Sequence, residues 1–197
     1  LVPRWHVPCS RPDDLPDRRR LHRDRNRSCV RKRDRQNPPG REWYLPRHLD
    51  AYDIEASTRH AYRSLVAALA ELDQRAVRIW NTYRDVAGLD RYMLFSKGRS
   101  EVLEELLGPG FERILCAATA VGSTSPKQVL AFVASQSAGL PVENPRQVSA
   151  YAYPSEYGPR SPSFARATRL IRPPHETLLV SGTASIVGHR SLHPGDI

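Results

Sequence analysis

Residues 62–83 run YRSLVAALAELDQRAVRIWNTY, and two periodicities meet inside that stretch. Tyr62, Leu65, Val66, Leu69 and Leu72 recur at steps of three and four, which places them on one face of a helix spanning about 55–73. Directly after it, Val77-Arg78-Ile79-Trp80-Asn81-Thr82-Tyr83 is rich in β-branched and aromatic side chains and reads as a strand. A helix feeding a strand across a short turn is the start of a layered α/β arrangement. Further along, Val102, Leu103, Leu106 and Leu107 predict a second helix over 99–107, stopped by Gly108-Pro109-Gly110. Strands follow near 113–121 and 128–135, and the apolar run Leu130-Ala131-Phe132-Val133 suits a buried sheet. The order α-β-α-β-β predicts an α+β fold, a mixed sheet with helices on one face.

Toward the C-terminus, Gly139-Leu140-Pro141-Val142-Glu143-Asn144-Pro145 punctuates the chain. Gln147 to Tyr153 then alternates, with Ser149, Tyr151 and Tyr153 on one side and Val148, Ala150 and Ala152 on the other, as a strand would. More strands are expected at about 163–170 and 177–182. Toward the N-terminus the character changes. Residues 1–45 carry 13 basic against six acidic side chains, a surplus of seven, so the rest of the chain holds only two of the net +9. With six prolines and no period, this segment cannot bury enough apolar area to offset ordering, and residues 1–49 are read as a disordered Arg/Pro-rich tail. Arg18-Arg19-Arg20 and Arg31-Lys32-Arg33 could neutralise phosphates, but interleaved aspartates and the distant Trp5 favour a solvated tail over a nucleic-acid arm. The remaining organisation is a first module at 50–138 and the opening strands of a second at 139–197.

The composition, 40% apolar and 26% charged, excludes collagen-like and fibrous classes. No run approaches the ~20 apolar residues of a membrane-spanning helix, and the N-terminus has no signal-peptide core. Cys9, Cys29 and Cys116 share no CxxC spacing, which points to neither a disulfide framework nor a zinc site and suits a reducing cytoplasm.

The densest polar and aromatic stretch, 149–166, offers a pocket wall: Tyr151 and Tyr153, then a Gly-Pro corner with Tyr157 and Arg160. Arg160 sits between prolines, so its guanidinium is placed to grip a carboxylate through paired N–H bonds. Ser181-Gly182-Thr183-Ala184-Ser185 ends an apolar strand with small residues, whose amides and hydroxyls suit an anion. It matches neither a GxSxG elbow nor a phosphate loop. His189 and His193 are four apart but lack HExxH context and a third ligand, so no metal is expected. Ser185 with His189 lacks an orienting acid.

Three longer runs carry a resemblance: Val142 to Tyr151, Tyr157 to Ala167, and Ser181 to His189. With Arg78 to Tyr83, Asp90-Arg91-Tyr92, Gly98-Arg99 and Ala117 to Gly122, they are similar to the chorismatase family over about 52–197. The resemblance implies two RidA-like (YjgF-like) modules, no metal and no organic cofactor. It also implies hydrolysis of the enolpyruvyl ether of chorismate, releasing pyruvate and a dihydroxycyclohexadienoate or a hydroxybenzoate. Mapped onto this chain, it places Tyr151, Tyr153, Tyr157, Arg160, Arg166, Gly182 and Ala184 around the substrate. The family's general acid, a glutamate on a late strand of the second module, is expected beyond Ile197. The expectation is therefore incomplete modules and a chain that holds substrate without turnover. Two alternatives stand beside it: a RidA-type enamine or imine hydrolase, and a non-enzymatic nucleic-acid-binding protein using the basic tail.

Overall fold

A computed structural model describes residues 41–50, as backbone, and 53–193. Residues 1–40, and with them most of the predicted tail, lie outside the described residues, as does the end of the loop after His193. The first element is β1 (Arg41–Asp50), followed by α1 (Ile54–Glu71), β2 (Arg75–Tyr83), α2 (Leu89–Leu107), β3 (Ala117–Gly122) and β4 (Lys127–Ser135). β1 takes in the last nine residues, 41–49, of the stretch that reads as a tail at the level of composition. Its backbone pairs antiparallel with β4, and the ladder shifts between Leu45 and Leu49, around Pro46, which has no N–H to donate.

The four strands form one sheet in the order β1-β4-β2-β3, with β2 and β3 parallel and the other pairs antiparallel. The parallel pair needs a crossover, and α2 supplies it. Both helices lie on one face. Ile54, Tyr62 and Leu65 of α1 and Phe95, Val102 and Leu103 of α2 pack with Ile79, Tyr83, Ala118, Leu130 and Phe132 of the sheet. Each of the Ile, Leu, Val and Phe side chains among them contributes about 1.5–3 kcal/mol by leaving water. Polar links run through the same layer. The Tyr62 hydroxyl donates to Asn81 Oδ1 at 3.1 Å, and Ser57 donates to Gln128 Oε1 at 2.6 Å.

α1 begins one residue before the predicted span, its first turn capped by the Asp53 carboxylate accepting from the Ala56 N–H. α2 begins ten residues before its predicted start. Its early inward face is Phe95 followed by Ser96, Gly98, Arg99 and Ser100, all buried, so a single apolar side chain stands among small and polar ones and no apolar period announces it. At Gly98 the helices pass close together: a Cβ there would stand 2.7 Å from the Glu55 carbonyl oxygen. The strand expected at 113–121 is a 3₁₀ turn over Phe111–Ile114 followed by the shorter β3.

A second, three-stranded sheet follows, with β5 (Leu140–Val142), β6 (Ala167–Arg172) and β7 (His175–Val180) in that order, all antiparallel. The chain leading into it joins the outer edge of β3 by a backbone bridge, the Ala165 N–H donating to the Cys116 carbonyl at 3.1 Å, and side chains extend the seam. The Ala117 N–H donates to Thr168 Oγ1 at 2.7 Å, and the Ala118 N–H donates to Ser181 Oγ at 2.9 Å. Ser181 Oγ in turn donates to the Ala165 carbonyl at 2.6 Å. A hairpin of β8 (Ile186–Val187) and β9 (Arg190–Ser191) turns at Gly188-His189, with Gly188 at φ 60°.

Candidate active site

The strand expected over Gln147–Tyr153 is absent. A single parallel bridge joins Gln147 to Gly188, and Ala150–Ala152 is a 3₁₀ turn. The alternation there is real but unpartnered, and a strand needs a neighbour. As a result Tyr151 and Tyr153 do not share a face. Tyr151 packs against the core under α1 and α2, while Tyr153 joins Tyr157 across a second 3₁₀ turn, Ser155–Tyr157.

The corner after Tyr157 is fastened to α2. Gly158 has φ 130°, and a Cβ there would lie 2.9 Å from Met93 Cγ. Arg160 pairs with Glu104 at 2.9 Å, both half-exposed. The stiff corner therefore holds Arg160 against the helix, paired with Glu104, where the sequence reading expects it to grip a ligand carboxylate. Ser161 Oγ donates to the Tyr153 carbonyl at 2.9 Å and completes the turn.

Arg166 occupies the centre. Its side chain is 6% exposed, and its Nη2 donates to the Tyr153 hydroxyl at 2.7 Å and to the Val148 carbonyl at 2.9 Å. The guanidinium lies 5.6 Å from the Tyr153 ring centre and 5.2 Å from that of Phe164, within cation–π range. Its Nε–H is buried with no hydrogen-bond partner among the described residues. Phe164 is also within 5.9 Å of a second buried guanidinium, Arg99 of α2, which stacks on Phe95 at 4.9 Å. Arg99 is 3% exposed, and its Nε and Nη2 likewise lack partners among the described residues. A third, Arg78, is held by the Ile79 carbonyl, the Thr119 hydroxyl and the Trp80 ring. A buried guanidinium stays charged, so each one is costly to bury without a counter-charge.

Burial also governs the neutral groups here. It pushes the Cys116 thiol up to about 12, and it raises the Tyr62, Tyr83 and Tyr92 hydroxyls above the ordinary tyrosine range. These stay protonated and serve as hydrogen-bonding or packing groups rather than bases.

His189 is a member of the cluster that sequence reasoning passes over as a loop histidine. Its Nδ1 lies 3.1 Å from the Tyr157 hydroxyl and 3.6 Å from Glu156 Oε1, and its ring sits edge-on to Tyr157 at 5.5 Å. The usable signal is Gly188-His189 between two short apolar and polar pairs, a two-residue hairpin tip. Ser185 faces His193 at 3.4 Å, not His189, on an exposed surface.

The small-residue segment begins tied into the seam with β3. The Ser181 hydroxyl is spent on the seam with β3, and the Gly182 N–H donates to Thr119 Oγ1 at 2.8 Å, so neither offers an anion site. Gly182 is needed because a Cβ would lie 2.8 Å from Thr119 Cγ2; Ala184 is exposed beyond it. No group of three His, Cys, Asp or Glu side chains suited to a metal occurs among the described residues, and no described helix is long and apolar enough to cross a membrane.

The arrangement is thus a cationic, aromatic cluster built from 148–166 with His189 at its edge. Residues 41–134 match the family model "Chorismatase FkbO/Hyg5-like, N-terminal". A 3-hydroxybenzoate synthase of Streptomyces hygroscopicus is 39% identical over 152 residues, 72% of this chain and 44% of that protein. A chorismatase of the same organism is 37% identical over 126 residues, 61% of this chain and 36% of that protein. A chorismatase crystal structure superposes with a TM-score of 0.71 at 30% identity, over 81% of this chain and 50% of that one. The chain therefore spans less than half the length of these curated relatives. The family-model match, the identities and the superposition lead to one conclusion: the chain belongs to the chorismatase family.

Proposed function

We propose that the cluster around Arg166 binds chorismate and serves the hydrolysis of its enolpyruvyl ether. The observation that carries this reading is a buried guanidinium with an unspent N–H, stacked between Tyr153 and Phe164. A cyclic dicarboxylic acid fits such surroundings, because its flat ring can lie on aromatic walls while a carboxylate accepts from Arg166. Its second carboxylate finds a second cation, Arg99, on the far side of α2's contact with Phe164. Tyr157, oriented by His189, is the hydroxyl placed to donate to the ring or ether oxygens.

The overall reaction protonates the methylene carbon of the enol ether, and water adds to the resulting oxocarbenium carbon. The hemiketal then breaks its C–O bond to give pyruvate and the ring alcohol. Nothing in that sequence calls for redox chemistry, and the chain's contribution is to hold the dianion and exclude water from its carboxylates.

Calorimetric titration of the 197-residue protein with chorismate tests the reading. Saturable binding is expected. Loss of a charge-assisted hydrogen bond in Arg166→Met should weaken it about 10- to 100-fold. Because Arg166 is buried and that variant can lose structure, Tyr153→Phe is the companion, expected to weaken binding about threefold to tenfold at unchanged Tm. No saturable binding, or equal affinity in wild type and both variants, overturns it. Pyruvate followed in the same samples reports whether a proton donor lies among these residues.

A further inference from the structure

Beside Arg166 lies a cavity of about 210 Å3, formed where β5, the 143–147 loop, β6 and the end of β7 meet. Tyr153 and Tyr157 do not line it. Its apolar walls come from Val142, Leu178 and Val180; Glu143, Arg166 and Thr183 also line it. This is below the usual size of pockets for drug-sized ligands, so it suits a small molecule.

Two of its groups are unsatisfied in opposite senses. Glu143 spends Oε1 on the backbone N–H of Arg166 at 3.3 Å, which fixes the carboxylate, while its Oε2 is buried without a partner among the described residues. The Arg166 Nε–H is equally buried and equally unpartnered, although its Nη2 is fully engaged elsewhere. The residues lining the cavity thus include one unmet acceptor and one unmet charged donor, which do not hydrogen-bond to each other. Leaving either unmade is costly, and a ligand that answers both regains that cost. A plain carboxylate answers Arg166 but sets its charge against Glu143. A plain alcohol or amine answers Glu143 and leaves the guanidinium uncompensated.

We propose that this cavity binds a carboxylate that also carries a hydroxyl, with a carboxylate oxygen accepting from Arg166 Nε–H and the hydroxyl donating to Glu143 Oε2. The hydroxy-carboxylate is either part of the ring acid proposed above or a separate small acid. The inference shares Arg166 with that reading but stands without it.

The test uses the 197-residue protein with lactate and propionate, which differ by the hydroxyl alone, followed by ligand-observed NMR. Lactate should bind about fivefold or more tightly than propionate, the worth of one net hydrogen bond. Glu143→Leu should bring that ratio to about one while leaving propionate bound. Thr183→Trp, at an exposed position on the lining, should block both acids without touching the core. Equal binding of the two acids by wild type, no binding of either, or a preference that survives Glu143→Leu overturns the proposal. Chorismate added to the lactate-bound protein separates the two sources: displacement assigns the site to the ring acid, and undisturbed lactate assigns it to a separate acid. Lactate binding in a protein that ignores chorismate keeps this inference and removes the chorismate reading.

Discussion

The two halves of the molecule hold together by different means. From α1 to β4, apolar side chains from two helices and three strands meet in one buried cluster. From β5 onward the sheet leaves Leu140, Leu178 and Val180 about half-exposed or more, and no described helix longer than one turn lies over it. What fixes it is a seam of buried hydroxyls, Thr168 and Ser181, on the edge of β3. Burial is non-directional and tolerates small shifts, whereas hydrogen bonds to an N–H set position and angle. The difference teaches why the polar cluster lies at the seam: Ser181 bonds to Ala165, the residue next to Arg166, and the Ser181 N–H donates to the Arg166 carbonyl at 2.9 Å.

The contrast can be broken by substitution. The largest effect belongs to the apolar half: Leu65→Ala, at a site 2% exposed, should cost about 2–5 kcal/mol through lost burial and a residual cavity. A denaturant melt measures it. Thr168→Val should cost less, about 1–3 kcal/mol, by leaving the Ala117 N–H buried without its acceptor. Its signature is local: amide exchange should quicken at Ala117, Ala118 and Ser181 while the amides of α1 keep their protection. Equal acceleration in both places would show that the halves open as one unit.

The smallest effect lies on the helix surface. The Arg59 guanidinium, and after it Lys97, hold the Glu55 carboxyl below the usual carboxylate range. A carboxyl depressed on folding stabilises above its unfolded value of about 4.3 and loses that contribution as pH falls through the folded value. Glu55→Gln should therefore cost up to about 1 kcal/mol at pH 7, and the variant should converge with wild type as the pH falls below about 4. Parallel melts across pH 2–7 check it.

Legibility followed the same division. Residues 62–83 announce α1 and β2 because their partners lie within one element's reach, and the α+β class follows from them. The first ten residues of α2 escape notice because a helix can bury part of its face against another backbone, as Gly98 does against Glu55, without that part being apolar. β1 escapes because an edge strand broken around Pro46 owes its form to β4. The Gln147–Tyr153 alternation misleads for the complementary reason: a pattern fit for a strand finds no partner there.

Local chemistry could name the arginines and tyrosines of 149–166 and the family to which their order belongs, because periodicity and motif are properties of neighbours along the chain. It could not rank Arg160 against Arg166, nor bring His189 to Tyr157 or Glu143 to Arg166. One arginine met Glu104 in the open, and the other was enclosed between aromatic rings. Burial and unmet hydrogen bonds arise only when distant segments are packed together, so that choice belonged to the tertiary structure.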